Sequence, residues 1–177
     1  MSQPTEKPSN GNLPAKWEPR IVAFFCNWCT YTAADLAGVS RMKHAHNVRI
    51  IRVMCSGRVD PQFVLEAFAK GADGVLIGGC HIGDCHYVEG NYKAIRRVQM
   101  LRRILRGMGI QDDRFRLEWI SASEGEKVKL VINDMVAKLR ALGPLGLPRR
   151  FQGWDRELAP LEQAVQAEAK EVGAHAG

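Results

Sequence analysis

Gly74-Val75-Leu76-Ile77-Gly78-Gly79-Cys80-His81-Ile82-Gly83-Asp84-Cys85-His86-Tyr87 decides the fold, because a short, wholly apolar run leads straight into two thiols, two imidazoles and a further glycine. A continuous apolar run bounded by glycine reads as a strand buried on both faces. Cys80 and Cys85 are therefore expected at or just past that strand's carboxyl end. The other cysteines fall in equivalent places. Cys26 and Cys29 follow Arg20-Ile21-Val22-Ala23-Phe24-Phe25, and Cys55 follows Val48-Arg49-Ile50-Ile51-Arg52-Val53-Met54. If these runs are neighbouring parallel strands, all five thiols converge on one edge of one sheet.

The segments between the runs supply the helices. One starts near Thr30 and carries Ala33, Ala34, Leu36 and Ala37. A second starts at Asp60-Pro61, where Asp caps and Pro at the first helical position wastes no amide hydrogen, and stops at Gly71. A third runs from about Asn91 to Arg106, and a fourth follows Ser123-Glu124-Gly125-Glu126, which has the spacing of a capping box. A fourth strand is expected over 116–120. Four strands alternating with four helices imply right-handed crossovers and an α/β fold, a four-stranded parallel doubly wound, flavodoxin-like sheet in the order 2-1-3-4. The polar, Pro- and Asn-rich residues 1–18 read as a flexible arm, 19–142 as the α/β domain, and 143–177, interrupted by Pro144, Pro148 and Pro160, as an extended or partly helical tail.

A chain of 177 residues with 46% apolar residues buries a core without disulfides. Five is an odd count, and the polar start has no apolar export signal, so a reducing cytoplasm is the expected location. No stretch approaches the roughly 20 apolar residues of a membrane span. The net charge of +6 points to an anionic partner. Much of it lies on the third helix, where Lys93, Arg96, Arg97, Arg102, Arg103 and Arg106 alternate with Ile95, Val98, Leu101, Leu105 and Met108. That spacing packs the apolar stripe inward and holds the basic residues outward, as a solvated face or a docking surface.

In open parallel sheets ligands sit beyond the carboxyl ends of the strands where the strand order reverses. Here that crevice lies between the first and third strands, at Cys26, Cys29, Cys80 and Cys85, with Cys55 one strand further out and so the leading candidate for a leftover thiol. Three chemistries use such a cluster. An iron–sulfur centre takes four ligands, usually thiolates, and Gly79 and Gly83 let amide hydrogens approach the sulfurs. Zinc takes four Cys or His ligands, and a dithiol oxidoreductase needs only Cys26-Asn27-Trp28-Cys29 at a helix start. The iron–sulfur reading leads, with four of Cys26, Cys29, Cys55, Cys80 and Cys85 as metal ligands. A zinc-stabilised binding module with a basic docking face and a dithiol oxidoreductase are the alternatives. Thiols already outnumber four positions, so His81 and His86 are read as donors to cluster sulfurs rather than ligands. Arg58, Asp84, Tyr87 and Asn91 are candidate supports of the loop. No phosphate-binding glycine fingerprint and no nucleophile–base–acid set is present, which argues against a nucleotide enzyme and an independent catalytic cycle.

Several longer motifs, taken together, resemble the delta (D) iron–sulfur subunit family of methyl-viologen-reducing hydrogenase. They are Cys26-Asn27-Trp28-Cys29 with Ala34-Asp35-Leu36-Ala37-Gly38, Cys55-Ser56-Gly57-Arg58-Val59-Asp60-Pro61, Gly71-Ala72-Asp73-Gly74, Gly79 to Tyr87, and Trp119-Ile120-Ser121-Ala122 with Glu124-Gly125. The resemblance covers about residues 19–142, and Ile82 stands where relatives often have proline. It implies a [2Fe-2S] cluster and a non-catalytic relay of electrons. The flow would run from a hydrogenase or formate dehydrogenase module to a flavin-containing, heterodisulfide-reductase-type subunit of an electron-bifurcating complex, with no nucleic acid involved.

Overall fold

The computed structural model describes residues 17–147, 159–161 and 163. The expected arm, apart from its last residues, and most of the expected tail lie outside the described residues. Four parallel strands form one sheet: β1 (Ile21–Cys26), β2 (Val48–Val53), β3 (Gly74–Gly79) and β4 (Phe115–Trp119), in the order β2-β1-β3-β4. Each strand feeds a helix: α1 (Thr30–Val39), α2 (Pro61–Ala69), α3 (Gly90–Gly107) and α4 (Gly125–Leu142). This is the doubly wound α/β fold expected from the alternation of elements. Among the described residues no helix is long and apolar enough to cross a membrane.

The strands' alternation divides the core into two layers. Ile21, Ala23, Phe25 and Leu76 face α1 and α4, where Ala33, Val128, Ile132, Met135 and Leu139 meet them. Phe24, Val75 and Ile77 face the other way, onto Val64 and Phe68 of α2 and Val98, Leu101 and Leu105 of α3. All six residues of β3 are buried, as its unbroken apolar run requires. β2, which carries Arg49 and Arg52 among its apolar residues, is mostly exposed, because it is an edge strand and the helices pack over its inner neighbours.

The helix ends show where local signals held and where tertiary contacts took over. Asp60 caps α2 as its sequence predicts, accepting from the Gln62 amide at 2.9 Å with Pro61 at the first position. The capping box at Ser123 does not form. Instead Glu124 reaches back to the Ser121 amide at 2.7 Å and pairs with His81 Nε2 at 2.7 Å, drawn one turn earlier by the histidine across the sheet edge.

The amino end of the sheet is tied by Asp73 and Arg114. The Asp73 carboxylate accepts the amides of Arg20 at 2.9 Å and Leu145 at 3.1 Å. Arg114, 1% exposed, donates to the carbonyls of Asp73 at 3.1 Å and Gly143 at 2.8 Å and to Gln111 Oε1. Burial holds the Arg114 pKa below its usual value, opposed by the nearby Asp73 charge. One guanidinium thus fastens the entry of β3, the start of β4 and the end of α4. Arg114→Met keeps the volume but leaves two buried carbonyls unpartnered, and is expected to cost about 2–4 kcal/mol. A urea midpoint unchanged from the parent chain would refute this role.

Candidate metal centre

The opposite, carboxyl end of the sheet holds the thiols. Parallel pairing sets Phe25 against Gly78, so the next residues of β1 and β3 emerge side by side. Cys26 Sγ and Cys80 Sγ are 3.8 Å apart, and Cys29, at the amino end of α1, joins them so that the three sulfurs lie within 4.8 Å of one another. A second pair forms beside this trio, with Cys55 Sγ 3.9 Å from Cys85 Sγ. All five cysteines are free and buried.

Close packing shapes both groups. A Cβ on Gly78 would lie 2.4 Å from Thr30 Cγ2, so glycine there lets the first turn of α1 settle on β3. A Cβ on Gly90 would lie 2.1 Å from Cys55 Sγ and 3.0 Å from Cys85 Sγ. The amino end of α3 therefore rests directly on the second pair. A Cβ on Gly57 would meet the Gly90 carbonyl at 2.6 Å, so the turn carrying Cys55 and the start of α3 are in backbone contact. Arg97 of α3 fastens this contact by donating to the carbonyls of Gly57 and Val59.

Each thiol group thus meets the positive end of a helix, which favours negative charge on sulfur. Cys26 is lowered to about 5, chiefly because the Cys29 thiol donates to its sulfur, while Cys29 is raised because it holds that proton. Burial raises Cys80 and pushes Cys55 up to about 11. Burial thus opposes ionisation of Cys55 and Cys80, a cost that a cation bound beside them would offset.

The remaining expected site residues divide. His81 bonds Glu124, whose carboxyl is held down to about 2 by the Ser121 amide first and His81 second. His86 stacks on Trp28 with ring centroids 3.9 Å apart and 16° between planes. Neither imidazole shows a hydrogen bond to sulfur. Gly79 would clash with Trp119 and Ser56 rather than with a thiol, and Gly83 serves a turn at φ +93° with open space around it. Of the proposed loop supports, Asn91 is fully buried and donates to the His81 carbonyl at 2.7 Å and the Cys80 carbonyl at 3.4 Å. Tyr87 accepts a bond from Trp28, whereas Arg58 and Asp84 are exposed. Sequence reading missed Gly90 and Arg97. Gly90 opens a helix where nothing local demands glycine, and that was the available signal.

Residues 21–143 fit the family model of the methyl-viologen-reducing hydrogenase delta subunit. The chain belongs to this family. Among its relatives is the iron–sulfur subunit of the vhc F420-non-reducing hydrogenase from Methanococcus voltae, 60% identical over 135 residues, covering 76% of this chain and 94% of the relative. Another is the iron–sulfur subunit of the F420-non-reducing hydrogenase from Archaeoglobus profundus, 54% identical over 137 residues, covering 77% of this chain and 100% of the relative. A third is a much longer subunit of the ferredoxin/F420H2-dependent CoB-CoM heterodisulfide reductase from Methanosarcina acetivorans. It is 50% identical over 128 residues, which are 72% of this chain but 16% of that protein.

The contact at Gly90 makes a prediction about the metal-free chain. Gly90→Ala forces Cys55 and Cys85 aside and is expected to destabilise by about 1–3 kcal/mol, the usual cost of overpacking. Gly107→Ala, at the far end of the same helix with nothing within 4 Å, is the control and should be neutral or slightly stabilising. Equal urea midpoints for the two variants would refute the close contact.

Proposed function

We propose that this chain is a [2Fe-2S] electron-transfer subunit. It relays electrons between a hydrogenase or formate dehydrogenase module and a flavin-containing, heterodisulfide-reductase-type subunit of an electron-bifurcating complex. The observation that carries the reading is the spacing of the sulfurs. Two thiolates on one tetrahedral ion with bonds of ~2.3 Å stand roughly 3.8 Å apart, and the chain presents two such pairs, Cys26 with Cys80 and Cys55 with Cys85. Two adjacent pairs are what a centre of two irons and four thiolates uses. The 3.9 Å contact of Cys55 with Cys85 favours Cys55 as a ligand and moves the leftover thiol from Cys55, its expected place, into the trio.

When bound, such a cluster takes up and gives back one electron. The chain's own residues supply what that exchange needs. Burial of the five cysteines excludes water, the first turns of α1 and α3 offset negative charge, and Asn91 and Arg97 hold the two cysteine-bearing loops in place. His81 and His86 act in this reading through the shape of the loop: one anchors it to Glu124, the other packs it on Trp28. The names of the relatives support the partners: two are hydrogenase iron–sulfur subunits, and in the third the homologous stretch is part of a heterodisulfide reductase chain.

Metal analysis with a visible spectrum tests the assignment. The expected result, for anaerobically purified protein, is about two irons and two sulfides per chain and a brown colour that bleaches on reduction. Cys55→Ser and Cys85→Ser should each lose most of the colour, while one replacement within the Cys26, Cys29 and Cys80 trio should keep it. A colourless protein carrying zinc, or full colour in Cys55→Ser and Cys85→Ser, would overturn the assignment.

A further inference from the structure

The thiols are buried, so a partner's redox group approaches them only across the residues that cover them. Trp28, His86 and Tyr87, which neighbour Cys29 and Cys85 in sequence, form a platform beside them. Trp28, between Cys26 and Cys29, stacks on His86, and its Nε1–H donates to Tyr87 Oη at 3.2 Å. Tyr87 stands edge-on to His86 with centroids 4.9 Å apart. The three side chains thereby bridge the loop after β1 and the loop after β3, which carry ligands of both thiol groups. They are nonetheless open to solvent, with Trp28 45% and Tyr87 49% exposed. Ile82, Val88 and Tyr92 add exposed apolar surface from the same loop and the start of α3.

Val88 is the most telling of these. It sits at φ +65°, a left-handed conformation that a β-branched residue adopts only under strain, and it is 75% exposed. Glycine, asparagine or aspartate would relieve the backbone, and within this chain the valine side chain buries little surface in return. Strain kept in this way points to a function outside the folded chain. The charges add a direction. Arg58, on the Cys55 turn, and Arg96, on the second turn of α3, are exposed and form no ion pair among the described residues, whereas Lys93 is taken by Glu89. Asp84 is the opposing unpaired acid on the loop.

We infer that the Trp28–His86–Tyr87 platform, with Val88 beside it and Arg58 and Arg96 at its margin, is the surface that receives the heterodisulfide-reductase-type partner through an apolar patch with an acidic rim. The inference rests on the electron-relay reading above. Rigid, pre-stacked aromatic rings lose little freedom on binding, and Trp, Tyr and Arg are the residues that dominate binding energy at interfaces. The occupant follows from the Methanosarcina acetivorans relative, in which the homologous stretch and the reductase are one chain, so that a reductase module is held beside this domain by covalent connection.

The test uses the cluster-loaded full-length chain. The probe is the flavin-loaded heterodisulfide reductase protein, from the same source, that is homologous to the rest of the Methanosarcina acetivorans relative. Val88→Asp is expected to unfold no more easily than the parent chain yet to bind this reductase protein at least tenfold more weakly. Arg58→Glu combined with Arg96→Glu should weaken binding at low salt and flatten its salt dependence. Trp28→Ala should weaken binding at least thirtyfold in protein that keeps its cluster. Should that variant lose its colour, Val88→Asp and the arginine variants decide the matter. Binding of Val88→Asp and of the double arginine variant within twofold of the parent would overturn the surface while leaving the relay reading intact. A parent chain that fails to bind the reductase protein would instead overturn the partner in that reading, and this surface with it.

Discussion

The parallel register of β1 against β3 is the constraint on which the metal centre depends. With Phe25 opposite Gly78, the strands end together and deliver Cys26 and Cys80 to within 3.8 Å although they are 54 positions apart in sequence. A slip of one residue would turn every side chain of β3 to the opposite face and separate the two sulfurs. Two packed layers, one on each side of β3, forbid that slip, because Val75 and Ile77 belong to one layer and Leu76 to the other. The site's geometry is thus held by the hydrophobic core. Its own hydrogen bonds, such as those of Asn91 and Arg97, orient loops that the strands have already placed.

The two ends of the sheet carry opposite duties. At the amino end, Asp73 and Arg114 satisfy four backbone groups from three segments, a dense polar knot that fixes where β1, β3 and β4 begin. At the carboxyl end, the chain tolerates buried thiols, a valine at φ +65° and half-exposed aromatic rings. Such features lower stability and persist only where the surrounding structure over-determines them. A sheet tied at one end and fully buried along β3 supplies that surplus, so the strained end is free to be shaped by what it binds.

Much of this was legible in the sequence because the decisive signals are local. Continuous apolar runs located β1 and β3, Asp60-Pro61 located the start of α2, the alternation of strands and helices pointed to a doubly wound parallel sheet, and the flavodoxin-like order assumed for it is the one observed, β2-β1-β3-β4. The convergence of thiols followed from that order alone. What stayed hidden depends on contacts between distant segments. Arg97 reads as one more solvated base on a basic helix, yet it turns inward to the Cys55 turn. Glu124 reads as the interior of a capping box, yet His81, 43 positions away, captures it. Gly79 and Gly83 were expected to admit amides to sulfur; backbone amides of Trp28, Ser56, Gly57 and His86 do reach the cysteine sulfurs, and Gly90, outside the cysteine loop, packs against Cys55 and Cys85. The edge exposure of β2 had a signal in the sequence, Arg49 and Arg52 inside its apolar run, that was read past.

The grouping of thiols also weighs the three chemistries against one another. A dithiol oxidoreductase keeps its two sulfurs apart from other thiols so that they exchange only with each other and with substrate. Here Cys80 lies 3.8 Å from Cys26 and competes for that role. Closed structural zinc requires four donors around one point. Among the described residues, three thiols gather within 4.8 Å without a fourth Cys, His, Asp or Glu donor joining them, and Cys55 and Cys85 form a separate pair. A single ion would leave that pair idle, buried and pressed against the first residue of α3. Two ions bridged by inorganic sulfide would use both groups and leave one surplus thiol in the trio, with the positive ends of α1 and α3 close to the sulfurs that hold them.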